Sequence, residues 1–437
     1  MARPLWLTRL LVRAGVARFL PSVRRLADGG EAYLRYYSDA VLAAPVAALR
    51  DPAVFPGPPG PDVIDLNLAA PQADAPAPGR LPADRRGNPP AWGTPDLRGA
   101  ITDHYVRRDG RAVDPESGVF VTHGATAGYA AALAAFVNPG DRVVLFDPCS
   151  PLFALGAAAR RAKVRWVPTW NDAGRCRYLP ADFERAMRGA KLLVVADPGN
   201  PTGACLSADD LEHLAWIAAS YDVLVYLDES FARFRYDGRG RALAVLPGAE
   251  RRVVTAGSVG PGWGLGAARV GWLAGPKHLI RPCALTASLS APYVPAACQH
   301  QAARALAEPD AAFAPTLDLF RGRRRYAFDR LRAAGLDPEW PAAGYFVWAA
   351  VAGLGLDGRT FAERLLKEQR VLVGPGCAFG PGGGGHVRVG FAADDGRVRE
   401  GLARLAAFVA GLRDDATVPE PVEPVVDEGQ KPVFSRA

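Results

Sequence analysis

Leu192-Leu193-Val194-Val195-Ala196-Asp197-Pro198-Gly199-Asn200-Pro201-Thr202-Gly203 is a continuous apolar run that stops abruptly at a turn built from Asp, Pro, Gly and Asn. The run lacks the polar–apolar alternation of a half-exposed strand, so it reads as a strand buried on both faces. The same pattern surrounds it. Val119–Thr122 is a short strand, followed by His123-Gly124-Ala125-Thr126 and a helix over Ala127–Val137. An Asn138-Pro139-Gly140-Asp141 turn leads into a strand at Arg142–Phe146. Downstream, Ser207-Ala208-Asp209-Asp210 has capping-box spacing and opens a helix to about Ser220. Val223–Leu227 and Val253–Ala256 are further strands carrying β-branched residues. Strands alternating with helices predict an α/β fold over residues 99–304, a large domain whose mostly parallel sheet is covered by helices.

Outside that unit the pattern changes. Residues 305–413 read as a smaller α+β domain, and residues 56–98 as its N-terminal part together with a linker. Most of Pro52–Pro95 is Pro-, Gly-, Ala- and Asp-rich loop, but Val63–Leu68 is strand-like, with Asp65 and Asn67 alternating with Ile64, Leu66 and Leu68. Residues 1–55 form a basic N-terminal arm. Its start carries Arg3, Arg9, Arg13, Arg18, Arg24 and Arg25 between apolar residues, the pattern of an amphipathic helix rather than a secretory signal. Residues 414–437, rich in Pro, Val and acids, are expected to be a disordered tail.

The composition narrows the function classes. With 49% hydrophobic and 22% charged residues in 437, the chain is globular. No apolar run reaches membrane-spanning length without a charge, so integral membrane association is not expected. The net charge of +7 permits an anionic ligand, but acids interleave with the arginines and no nucleic-acid stripe forms. Cys149, Cys176, Cys205, Cys283, Cys298 and Cys377 lie far apart with no C-x-x-C pair, which suits reduced thiols in a cytoplasmic protein and no metal. Only five of the 52 basic residues are lysines: Lys163, Lys191, Lys277, Lys367 and Lys431.

In sheets of this kind ligands bind beyond the carboxyl ends of the strands. Small residues at Gly124, Ala125 and Thr126 let helix N–H groups approach an anion. Asn200 follows the next such strand, Asp228 ends the one after it, and Ser258 and Arg269 follow the last. An anion cradle, an Asn, an Asp and an Arg are thus all expected at one edge.

These residues, in this order, resemble class I/II aminotransferases, the fold-type-I enzymes dependent on pyridoxal phosphate. The resemblance runs over about residues 60–413. It rests on Gly93-Thr94-Pro95-Asp96-Leu97-Arg98, the turn at 138–141, Asn200-Pro201-Thr202-Gly203, Gly344-Tyr345-Phe346-Val347-Trp348, Pro375-Gly376-Cys377-Ala378-Phe379-Gly380 and Val387-Arg388-Val389. It implies that Asp228 pairs with the protonated pyridine nitrogen and that Asn200 donates to the phenolic oxygen. Gly124, Ala125, Thr126, Ser258 and Arg269 would hold the phosphate, and Arg388 would take a substrate carboxylate. It also implies a small-molecule carboxylate substrate and sites formed at a dimer interface.

The chain departs from the family at decisive positions. The Schiff-base lysine is expected eight residues before Arg269, where Pro261 stands within Ser258-Val259-Gly260-Pro261, and no lysine lies between Lys191 and Lys277. The ring-stacking aromatic is replaced by Ser150, the tyrosine supporting the phenolic oxygen by Phe231, and the tyrosine reaching the partner's phosphate by Asn88. His123 is the histidine nearest the phosphate end, and none stands at the lysine position. Ordinary transamination is therefore not expected. Three readings stay open. The first is a divergent enzyme, in specialised metabolism by analogy, that binds pyridoxal or pyridoxamine phosphate non-covalently or a carboxylate in the old pocket. The second is a non-catalytic pseudoenzyme pairing with an active homologue, as a heterodimer rather than a homodimer. The third is an ordinary aminotransferase.

Overall fold

The computed structural model describes residues 62–67, 88–238 and 240–417. The expected N-terminal arm, and the tail beyond residue 417, lie outside these. In chain order the elements begin with β1 (Ile64–Asp65), α1 (Pro95–Asp109), β2 (Val119–Thr122), α2 (Gly124–Phe136), β3 (Arg142–Asp147) and α3 (Pro151–Ala159). There follow β4 (Lys163–Asp172), β5 (Arg175–Tyr178), α4 (Pro180–Met187), β6 (Leu192–Ala196), α5 (Ala208–Ser220), β7 (Leu224–Asp228) and β8 (Val253–Ser258). Next come α6 (Val259–Trp263), β9 (Gly271–Ala274), α7 (Lys277–Ser288), α8 (Ala296–Ala307), α9 (Ala314–Ala333), β10 (Asp337–Pro338) and β11 (Phe346–Ala350). The chain closes with α10 (Gly358–Gln369), β12 (Val371–Leu372), β13 (Gly374–Pro375), β14 (His386–Gly390) and α11 (Asp395–Thr417).

The large sheet has the order β2-β9-β8-β7-β6-β3-β4-β5. Strands β8, β7, β6, β3 and β4 pair in parallel, whereas β9 runs against both neighbours and β5 folds back on β4. Apolar cores fill both faces, one under α2 and α7, the others under α4 and α5 and under α1 and α8. The double coverage explains the uninterrupted apolar strands. A four-stranded antiparallel sheet, β10-β11-β14-β13, builds the second unit with α9, α10 and α11. The Val63–Leu68 segment contributes the short strand β1, which pairs in parallel with β12 and so belongs to this unit.

Local signals act as their chemistry demands. Ser207 Oγ accepts from the Asp210 N–H while the Asp210 carboxylate accepts from the Ser207 N–H, closing the box that starts α5. Asp141 accepts from the Asn138 N–H at 2.8 Å, and Gly140 turns the chain at φ 92°. Two boundaries differ from the sequence expectation. Helix α2 begins at Gly124, three residues early, because no side chain caps it and the sequence carries no start signal there. Helix α11 continues through Thr417, past the expected start of the tail. Among the described residues, no helix is long and apolar enough to cross a membrane and no group of three or more His, Cys, Asp or Glu could hold a metal ion. All six cysteines are free.

Candidate functional site

Strand β2 delivers the chain to the N-terminus of α2, where His123 occupies the cap position without hydrogen-bonding the helix. Gly124 starts the helix at φ 77°, a conformation that only glycine adopts cheaply. A Cβ there would lie 2.9 Å from Arg269 Nη2, so the Arg269 side chain lies against the bare Cα. Gly271 packs as closely from the other side, its own hypothetical Cβ meeting the Gly124 and Ala125 backbone at 2.5 and 2.6 Å. Arg269 itself holds a left-handed backbone (φ 51°, ψ 40°), which costs a non-glycine residue about 1–2 kcal/mol. Thr122 Oγ1 donates to Gly124 O and Tyr226 Oη to Ala125 O, fixing the first turn to β2 and β7. Gly124, Ala125 and Thr126 thus present unshared helix N–H groups beside an exposed guanidinium. Chemically, such an arrangement can accept an anion.

The acids at the ends of β6 and β7 are treated differently from one another. Asp197 receives Arg235 at 2.5 Å and the Leu206 N–H at 3.0 Å. Glu229 receives Arg108 at 2.9 Å. Asp228 accepts the Ser230 N–H at 2.9 Å and the Ser230 hydroxyl, and no described cation pairs with it. Burial pushes its carboxyl above the usual range, with the neighbouring charge of Glu229 adding to the effect. Arg108 and Arg235 were not singled out by sequence, because an arginine in a chain this rich in arginine carries no signal of its own.

Asn200 and Arg388 meet. Arg388 Nη1 donates to Asn200 Oδ1 at 2.9 Å, and Nη2 donates to Asn67 Oδ1 at 2.6 Å and Asn67 O at 3.2 Å. The guanidinium is buried over the rings of Phe379 and Phe346, at 4.8 and 5.4 Å. Desolvation holds its pKa down to about 10, and no described carboxylate hydrogen-bonds to it. With Oδ1 committed to Arg388, the amide NH2 of Asn200 is the group left to face a ligand. Asn67 is the residue that sequence reading missed as a site member. Its only trace was the alternation in Val63–Leu68, which sets Asn67 and Asp65 on one side.

Pro261 is the third residue of α6, a five-residue helix capped by Ser258, whose hydroxyl accepts from the Gly260 N–H at 3.1 Å. Because a first-turn N–H has no helical acceptor, proline fits there without breaking a bond. The Ser258 hydroxyl also donates to Val270 O, so capping engages it in both directions. The described lysines all lie elsewhere and are exposed. Lys163 opens β4, Lys191 precedes β6, and Lys277 follows the reversed strand β9, so these three sit at the opposite edge of the sheet from the cradle. Lys367 lies in α10, and Lys431 is outside the described residues.

The other positions at which divergence is expected have structural accounts. The Phe231 ring packs edge-on against Tyr345 and Phe346 at 5.4 and 5.2 Å, joining the core of the second unit. Ser150 occupies the cap position of α3 without a side-chain bond to it, and Asn88 is exposed.

The cradle, Asn200, Asp228, Arg269 and Arg388 follow one another along this chain. The family described as "Aminotransferase class I and II" matches residues 77–405. The chain belongs to the class I and II aminotransferases. Among curated relatives, the putative aminotransferase YugH of Bacillus subtilis is 30% identical over 315 residues, covering 72% of this chain and 81% of its own. The glutamate-pyruvate aminotransferase AlaC of Escherichia coli is 29% identical over 373 residues, covering 82% and 89%. Among solved structures, N-succinyldiaminopimelate aminotransferase from Mycobacterium tuberculosis aligns with a TM-score of 0.74 at 28% identity, covering 79% of this chain and 93% of that chain.

Proposed function

We propose that this aminotransferase-family protein is a divergent enzyme that holds pyridoxal or pyridoxamine phosphate without a covalent link. The observation that carries the reading is Asp228. Of the three acids at the ends of β6 and β7 it alone has no described cation, and it shares its sheet edge with an open anion cradle and with no described lysine. The residues fit the cofactor at its anionic and cationic ends, and lack the group that would capture its aldehyde.

When bound, the cofactor supplies an electron sink for a carbanion. The N–H groups of Gly124, Ala125 and Thr126, with Arg269, would hold the phosphate, Ser258 supporting the turn beside them. Asp228 would hold the ring nitrogen in its protonated form, and the Asn200 amide would donate to the phenolic oxygen. Arg388, already oriented by Asn200 and Asn67, would offer its remaining N–H edge to the carboxylate of a small substrate. No side chain at position 261 can move a proton at the reacting carbon, and losing a positioned base costs about 10²–10⁴ in rate. The accumulated changes at Ser150, Phe231 and Asn88 favour a second reading, a non-catalytic subunit paired with an active homologue.

Titrating the full chain with pyridoxal phosphate separates the readings. A saturable absorbance change, displaced by inorganic phosphate and followed after borohydride by no adduct on the peptides lining the cleft, is the expected result. An adduct on a cleft lysine would make it an ordinary aminotransferase. Absence of binding, with a homologue bound instead, supports the subunit reading.

A further inference from the structure

A cavity of about 270 Å³ lies between the α1 face of the large sheet and the start of α9. It shares Ser258 with the candidate cleft but is lined by none of Gly124, Asn200, Asp228, Arg269 or Arg388. Among the described residues five arginines border it, and four are paired: Arg108 with Glu229, Arg235 with Asp197, Arg241 with Glu212 and Arg321 with Asp318. Arg233 is the exception. It forms no ion pair with a described residue. Its guanidinium lies over the rings of Trp263 and Phe313, at 4.6 and 4.2 Å, and Nη1 donates to Gly262 O at 2.9 Å.

A guanidinium has five N–H donors in a plane, so most of this fork is uncommitted while its faces are fixed by the two aromatic rings. Desolvation lowers its pKa to about 10, and Asp310 and Glu308 oppose this only through space. Of the other titratable wall groups, His104 is held at about 3 by burial and by the surrounding arginines and adds no charge, Asp197 and Glu229 are taken by Arg235 and Arg108, and Asp310 acts on Arg233 through space. The remaining walls are largely apolar, with Tyr105, Trp272 and Leu317 among them. A largely apolar chamber with one oriented cation uncommitted among the described residues matches a ligand carrying one planar negative charge on an apolar body. A cavity of about 150 Å³ accommodates a benzene ring, so this volume suits a ring with a short acid arm.

We propose that this cavity is a second small-molecule site, for a single-ring aromatic carboxylate whose acid group pairs in the plane of the Arg233 fork and whose ring is enclosed by Tyr105, Trp272 and Leu317. An occupant would rest against Trp263, two residues after Pro261, and so would brace α6. The proposal does not depend on the cofactor reading.

The test is calorimetric titration of the full chain with 3-phenylpropionate. One saturable site per chain is expected, accompanied by a change in tryptophan fluorescence from Trp263 and Trp272. Arg233→Met should weaken binding by at least about tenfold, the scale of one charged hydrogen-bonded contact. Leu317→Trp, which fills the chamber and keeps the arginine, should abolish it, and this second variant decides the matter if the first fails to fold. Arg388→Met should leave it unchanged. Three results would overturn the proposal: no saturable binding, equal binding of 3-phenylpropanol, or loss in Arg388→Met with retention in Arg233→Met. The last would place the acid in the cofactor cleft. None of these outcomes bears on whether pyridoxal phosphate binds.

Discussion

The two ends of the cleft are built on opposite principles. At the Arg388 end the cation is buried, stacked on Phe379 and tied to Asn67 and Asn200 before any ligand arrives. At the Gly124 end the helix has no side-chain cap, and the Arg269 guanidinium stands exposed beside bare backbone. The first end belongs to the protein's own cohesion as much as to a ligand. The second has little purpose in the folded chain alone, since a strained arginine and an uncapped helix start both lower stability. A site without an occupant would be expected to lose the second end first, yet here it persists while position 261, where the family resemblance leads one to expect a lysine, holds a proline.

The largest effect should come from restoring that position. Pro261→Lys keeps the first-turn geometry of α6, which does not require proline, and returns a base to the edge between cradle and Asp228. The variant should form a borohydride-fixed cofactor adduct at residue 261, found by peptide mass. It should also process amino acids about 10²–10⁴ faster than the parent. No adduct and no rate gain would mean that Ser150 and Phe231 have closed the cleft by themselves.

The contrast between the ends predicts opposite phenotypes for their arginines. Arg269→Ala should weaken pyridoxal phosphate and inorganic phosphate by about 10–100-fold, while thermal stability moves by less than about 0.5 kcal/mol. Arg388→Met should leave phosphate affinity intact and cost about 1–3 kcal/mol, because Asn67 and Asn200 lose their buried donor. Equal losses of stability in both variants would erase the distinction. Gly124→Ala is a milder probe of the open end. It forces alanine to φ 77° and sets a methyl against Arg269, so phosphate affinity should fall by roughly tenfold and stability by about 1–2 kcal/mol.

How much of this was legible in the sequence follows from the kind of signal each part carries. The parallel sheet announced itself because buried strands need unbroken apolar runs such as Leu192–Ala196, and the Ser207–Asp210 cap because its donors and acceptors are adjacent in sequence. The cradle was legible for the same reason, its small residues being contiguous. Pairings between distant segments left no local trace. Asn67 with Arg388 spans 321 residues, and Arg108 with Glu229 spans 121. The role of Phe231 was hidden likewise, since nothing beside it in sequence indicates that it packs on Tyr345 in another core. Residue type suggested what Asn200 and Arg388 could bind. Only the fold shows that they bind each other first.

The smallest effect is expected at Asp228, and its sign is informative. Burial raises the carboxyl above its ordinary value of 3.8, so the folded chain holds the proton more tightly than the unfolded chain does. The folded state is therefore favoured at pH below 3.8 and loses that advantage as pH rises through the elevated value, leaving a charge without a described cation at neutral pH. Asp228→Asn keeps an oxygen for the Ser230 N–H and removes the charge. In the absence of cofactor the variant should melt at a higher temperature than the parent at pH 8, with the gap closing below pH 4. A cationic ring nitrogen reverses the order, because it stabilises the parent's carboxylate and gives the amide nothing equivalent. Adding pyridoxal phosphate should then raise the parent's melting temperature by more than the variant's. If the variant is the more stable at pH 8 and both respond to the cofactor equally, Asp228 faces no cation, and the open end of the cleft binds its anion without help from the middle.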